Sequence, residues 1–221
     1  KRQLPDGDKQ PEDKTLKELN APQNIIDAAA KLVTLEELAA AKAAEEAAKK
    51  QAEDEAIAKR EAIEGALNDL KQDEMFQTSL MYVSQDSTNL EFTAVSLRQS
   101  LNDEGFKKLA PIADLLTTVK IGSTSISEGA LLSELPKMKN LIRLDLSDME
   151  IGSGSLEAVA QLPSLEWLNL HNTQVTDEGL LKLKNLSKLK KVYLWNSKAT
   201  PEGGEALKKE IPELEFFFGS N

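Results

Sequence analysis

The chain has 221 residues, a formal net charge of −10 and a sequence pI of about 4.8, a balance that excludes a nucleic-acid groove because phosphate binding requires clustered Lys and Arg. Cysteine is absent, which excludes disulfides, a thiolate metal site and a covalent C-x-x-C-H haem attachment within these residues. No run approaches the roughly 18 consecutive apolar residues of a membrane span, and no charged-then-apolar leader is present; with Lys1 rather than Met at the start, the chain reads as a processed or partial product whose targeting or membrane segment lies outside it.

Residues 1–22 carry Pro5, Pro11 and Pro22 among charges of both signs, with few large apolar groups. Such a stretch cannot bury enough area to offset its ordering entropy, so an extended linker or arm is expected. Residues 23–76 form a helical segment. Ile25, Ile26, Ala29, Leu32 and Val33 have helical spacing, and Thr34 with Glu36 and Glu37 reads as the N-cap of a second, longer helix reaching Glu74. That stretch has no proline, one glycine (Gly65) and a preponderance of Ala, Glu and Lys, all strong helix formers. Residues 34–74 hold 12 acids against 6 bases, while residues 75–221 hold 19 against 15, so much of the acid excess is the surface of one helix. Forty helical residues measure roughly 60 Å. From Ala39 to Ala56 only alanine offers an apolar face, whereas Ile57, Ile63, Ala66, Leu67 and Leu70 make a proper stripe. Two readings stand: a spacer or coiled-coil arm, or a helix packed on its own domain or on a neighbour.

In residues 77–221 a hydrophobic phrase returns every 24 residues. Leu141, Leu144, Leu146 and Ile151 recur as Leu165, Leu168, Leu170 and Val175, and then as Leu189, Val192, Leu194 and Ala199. This is the L-x-x-L-x-L pattern of leucine-rich repeats, each unit giving one short strand to a stacked parallel sheet. The predicted fold is α/β: a leucine-rich repeat solenoid with convex-side helices, preceded by a long α-helix. Working back, Val119, Ile121 and Ile126 match, with Leu132, Leu135 and Met138 in the return; one unit earlier stand Val95, Leu97 and Leu101. Strands are expected at 92–97, 117–121, 142–146, 166–170, 190–194 and 214–218, about five units, with Leu80–Val83 and Leu90–Phe92 as an N-terminal cap. Thr124, Thr173 and Ser197 hold the turn position often occupied by Asn, where a hydroxyl can bond the backbone. Thr176 or Asp177 can cap the following helix, and Gly179 permits tight packing.

Residues between the leucines face the concave surface, because side chains alternate across a sheet. Three columns are expected: Ala94, Thr118, Arg143, Trp167 and Lys191; Ser96, Lys120, Asp145, Asn169 and Tyr193; Arg98, Gly122, Ser147, His171 and Trp195. The candidate partner-binding residues are Trp167, Asn169, His171, Tyr193 and Trp195, with Phe216 and Phe218 extending the patch. Tyr and Trp are enriched at binding hot spots, and contiguous exposed aromatics signal interaction; the plainer alternative is that Trp195 and the phenylalanines only cover the solenoid's end. His171 stands alone, with Asp145 as its nearest expected carboxylate, so no catalytic residue and no metal site is assigned, and no phosphate-binding glycine motif is present.

With Thr173–Leu180 reading T-Q-V-T-D-E-G-L and Val192–Gly204 reading V-Y-L-W-N-S-K-A-T-P-E-G-G, residues 77–220 resemble the repeat region that follows the planctomycete-type cytochrome c domain in envelope proteins of Planctomycetes, Verrucomicrobia and Bacteroidetes. Ser84–Ser87 before the repeats is similar to that group, as is Lys14–Asn20, K-T-L-K-E-L-N, to the junction after its haem domain. The resemblance implies an upstream haem and membrane module; this chain itself carries no cofactor.

The expected function is a non-enzymatic protein-interaction scaffold of the cell envelope, periplasmic or membrane-associated through a missing segment, with protein partners in an envelope complex. The alternative is the C-terminal part of a c-type cytochrome protein in electron transfer, its haem upstream. Concave carboxylates are not paired as a hydrolase would need.

Overall fold

A computed structural model describes residues 22–74, 76–83, 89–94 and 100–219. The chain divides into two units, residues 1–59 and 60–221. One helix, α1 (Gln23–Gln72), contributes to both. Its backbone runs unbroken through Thr34, so the expected second start there does not occur. No proline or glycine interrupts residues 23–64, and propagating a helix is cheaper than nucleating a new one. From residue 37 to 59 every side chain is exposed, Leu38 and Ile57 included. The expected arm at residues 1–22 lies outside the described residues except for Pro22.

In the second unit, one seven-stranded sheet has its strands in chain order: β1 (Leu80–Tyr82), β2 (Leu90–Thr93), β3 (Leu116–Lys120), β4 (Arg143–Asp145), β5 (Trp167–Asn169), β6 (Lys191–Tyr193) and β7 (Glu215–Phe217). β1 pairs antiparallel with β2, and every later pairing is parallel. Short helices return on the other side: α2 (Asp103–Lys107), α3 (Glu128–Glu134), α4 (Leu156–Val159), α5 (Asp177–Leu180) and α6 (Pro201–Glu210), with single 3₁₀ turns after α2, α3 and α5.

The register corrects the sequence reading at the first unit. Phe92 pairs with Val119, a step of 27 residues, against 25 from Val119 to Leu144 and 24 for each later step to Leu168, Val192 and Phe216. The first strand is therefore 90–93 rather than 92–97. Leu90 and Phe92 belong to it and not to a cap, and Ala94, expected on the open face, is buried. Ser96 and Arg98 lie outside the described residues, as does Ser84–Ser87. In the second return Leu131 is buried and Leu132 exposed, one position from the expected phase, since α3 is a single seven-residue turn whose start is fixed by Ser127 capping Ala130 N–H at 3.2 Å.

The core is a stack of equivalent residues. Val119, Leu144, Leu168 and Val192 come from successive strands, and Leu109, Leu135, Val159 and Leu183 are among those from the returns, all fully buried. Each such aliphatic side chain contributes roughly 1.5–3 kcal/mol when buried. At the N-terminal end Ile63, Ala66, Leu67 and Leu70 pack on this core together with Phe76, whose ring centroid lies 5.7 Å from that of Phe92.

Polar links tie the units. Asp103 accepts the backbone N–H and the hydroxyl of Ser127, both at 2.7 Å, and Asp177 does the same for Thr200 at 2.7 and 2.8 Å. Between them, the Ser153 hydroxyl meets Thr176 Oγ1 at 2.9 Å and accepts the Thr176 N–H at 3.1 Å. The Thr176 hydroxyl thus serves its neighbour and makes no side-chain cap on α5. Gly179 is required for a different closeness than strand against helix: a Cβ there would overlap Ser153 of the preceding unit. Thr124 and Thr173 donate to the carbonyls of Ile121 and Leu170 at 2.7 and 2.8 Å, as expected for hydroxyls at the turn.

Candidate interaction face

On the sheet face opposite the helices, strand pairing aligns Glu91, Thr118, Arg143, Trp167, Lys191 and Glu215 in one row, and Thr93, Lys120, Asp145, Asn169, Tyr193 and Phe217 in the next. Gly122, Ser147, His171 and Trp195 follow at the strand ends. Four of the five candidate residues meet in pairs. The Trp167 and Tyr193 rings tilt together with centroids 5.1 Å apart, and His171 stacks on Trp195 at 4.8 Å. His171 Nδ1 also lies 2.9 Å from the Trp195 carbonyl oxygen. Asn169 is placed among them, but its Oδ1 accepts the His171 N–H at 3.1 Å, as Asp145 Oδ1 accepts Ser147 N–H at 3.0 Å one unit earlier. Its oxygen is thus held by its own turn.

Three features escaped the sequence reading. Phe217, not Phe216 or Phe218, extends the patch: its ring lies 4.5 Å from that of Tyr193 and 12° from parallel. Phe216 pairs with Val192 in the core register, and with Phe218 it packs against the core beside Gly204. The cause is alternation, which sends neighbouring strand residues to opposite faces. Second, the Arg143 guanidinium lies over Trp167, 4.7 Å from the ring centroid. Third, His171 Nε2 lies 3.8 Å from Asp148, not Asp145, because Asp148 adopts a left-handed turn conformation.

That turn recurs. Ser123, Asp148, Asn172 and Asn196 have φ of 60°, 56°, 52° and 56°. Small polar residues tolerate this region, where bulkier ones are strained. Asn196 Nδ2 donates to Asn172 Oδ1 at 2.6 Å, and Asn172 Nδ2 to Asp148 Oδ1 at 2.9 Å. This amide ladder along the strand ends positions the His171–Trp195 pair.

The charged groups are distributed unevenly. Glu91 pairs with Lys120 and accepts the Thr93 hydroxyl at 3.1 Å, and the Lys120 hydrogen bond is the first cause holding its carboxyl below its ordinary range. Lys190 pairs with Glu166 at 2.8 Å, and Lys191 approaches Glu215 at only 3.7 Å. Ile142, Arg143, Glu166, Trp167, Lys191 and Tyr193 are among the residues lining a shallow depression. Among the described residues no group of three or more His, Cys, Asp or Glu could hold a metal, and no helix is long and apolar enough to cross a membrane.

No protein-family model matches the chain. It is 34% identical over 107 residues to acidic leucine-rich nuclear phosphoprotein 32 family member A of Drosophila pseudoobscura pseudoobscura and of Drosophila melanogaster, an alignment covering 47% of this chain. The chain spans about 38% of the length of these curated relatives. Among solved structures, an internalin of Listeria monocytogenes aligns at 18% identity and TM-score 0.39, covering 50% of this chain and 29% of that one. A leucine-rich repeat protein of Leptospira interrogans aligns at 20% and 0.36, covering 51% and 33%. The architecture rests on the chain's own strand register and repeat spacing: the second unit is a leucine-rich repeat solenoid.

Proposed function

We propose that the repeat unit is a non-enzymatic protein-interaction module working through the open face of its sheet. The observation that carries this reading is the cluster of Trp167, Tyr193, Phe217, His171 and Trp195 on adjacent strands, with Trp195 59% exposed. A solenoid buries its core between units and leaves the sheet face for partners. Rigid amphipathic rings there offer contact area at low entropic cost. Site-specific photocrosslinking tests it: a benzophenone side chain at Trp195 should give protein adducts in the source cells, and one at exposed Lys188, on the loop after the fifth unit's return, should not. Adducts from Lys188 alone would defeat the proposal.

A finer reading places the module in the cell envelope, in a complex with protein partners. It draws on the T-D-E-G and Y-L-W motifs similar to those of planctomycete-type cytochrome c proteins. Under the second form of that reading, the repeats serve an upstream haem domain in electron transfer. Fractionation of cells expressing the full gene product, with a haem stain, tests both.

A further inference from the structure

Resting on the proposed interaction face, we infer that its centre takes an acidic peptide segment carrying an apolar or aromatic side chain flanked by Asp or Glu. The argument is charge complementarity. Arg143, Trp167 and Lys191 stand in one pairing row on β4, β5 and β6, so two cations flank an indole at steps of about 4.8 Å. Arg143 has no ion pair within 4 Å among the described residues; its guanidinium spends one face on Trp167 and keeps its in-plane donors for a carboxylate. Lys191 is held only loosely by Glu215, at 3.7 Å.

The other charges around the depression are already committed. Glu166 pairs with Lys190, Glu91 with Lys120, and Asp145 accepts the Ser147 N–H. What remains on offer is positive, in a chain whose formal charge is −10. The floor between the cations is the Trp167–Tyr193 pair, a surface for an apolar side chain. The ligand is thus a mixed acidic and apolar peptide, and a uniform polyanion would leave the rings unused.

The test uses the full chain, isotope-labelled, titrated with a nine-residue peptide bearing a central Phe between runs of Asp and Glu. Comparison peptides replace the acids with Lys, or the Phe with Gly. Amide shifts centred on β4, β5 and β6 are expected, with binding weakened tenfold or more by Arg143→Gln, by Lys191→Gln, by the Lys peptide and by the Gly peptide. Arg143→Lys, retaining charge without the stacked plane, should fall between. Thermal melts confirm that each variant is folded.

Equal binding by the Lys peptide would overturn the acidic class while leaving the face intact. Tighter binding by a heparin fragment or an oligonucleotide, lost in the same variants, would overturn the peptide class. Shifts confined to the return helices, or none for any peptide, would overturn the inference; if crosslinks at Trp195 persist, the broader reading survives it.

Discussion

Ser153 and Thr176 are joined twice across the boundary between units, hydroxyl to hydroxyl at 2.9 Å and Thr176 N–H to Ser153 Oγ at 3.1 Å. The closeness these bonds enforce leaves no room for a Cβ at Gly179. Gly179→Ala should therefore lower stability by about 1–3 kcal/mol, the cost of displacing a hydrogen-bonded neighbour, although alanine is the better helix former. Denaturant melts of the pair Ser153→Gly and Gly179→Ala should show a double-mutant loss smaller than the sum; strict additivity would show that the two residues do not compete for space.

Trp167→Ala removes a ring from between Arg143 and Tyr193. Partner binding should weaken by about 2 kcal/mol or more if the ring is a hot spot, with about 1 kcal/mol of stability lost from the two ring contacts. Calorimetric titration beside thermal melting separates these effects. Unfolding with unchanged affinity per folded molecule would make the tryptophan purely structural.

Glu91 gives the fold an acid-sensitive contact. Its carboxyl is held below its ordinary value of 4.5, chiefly by the Lys120 hydrogen bond. A depressed carboxyl stabilises the folded state above its unfolded value, and that contribution is lost as pH falls through the lower folded value. Glu91→Gln should cost no more than about 1 kcal/mol at neutral pH, since the pair is partly exposed. The gap between wild type and variant should close below pH 4.5. Melts at stepped pH would show a gap that stays open if the ion pair contributes nothing.

Ser155 is fully buried and its hydroxyl has no hydrogen-bond partner. Its backbone is right-handed helical, with φ −57° and ψ −25°, which alanine adopts freely. Ser155→Ala should raise stability by about 1 kcal/mol by removing an unsatisfied buried group. A loss on chemical denaturation would mean that the hydroxyl is bonded in solution.

The repeat architecture was legible because Leu144, Leu168 and Val192 recur at a strict interval, and an interval is a sequence property. The first unit was not, because its step of 27 residues breaks that interval, and extrapolating 24 moved the expected strand onto Ala94. The phase at β7 failed for a related reason: Phe216, Phe217 and Phe218 are chemically alike, so alternation cannot be read from identity. Trp167, Tyr193, His171 and Trp195 were found from position in the phrase alone. Arg143 stacking on Trp167 and the Asp148–Asn172–Asn196 ladder were not, since both depend on side-chain conformations and turn dihedrals that periodicity does not encode.

A sheet whose spatial order equals its chain order has a kinetic consequence. Each strand need close a loop of only one repeat to find its neighbour, so sequence separation between contacts stays small however many units are added. Assembly can begin where the intervals are most regular, between β4 and β6, and spread outward one unit at a time. The same economy leaves β7 held by a single neighbouring strand, and that end should exchange its amides earliest.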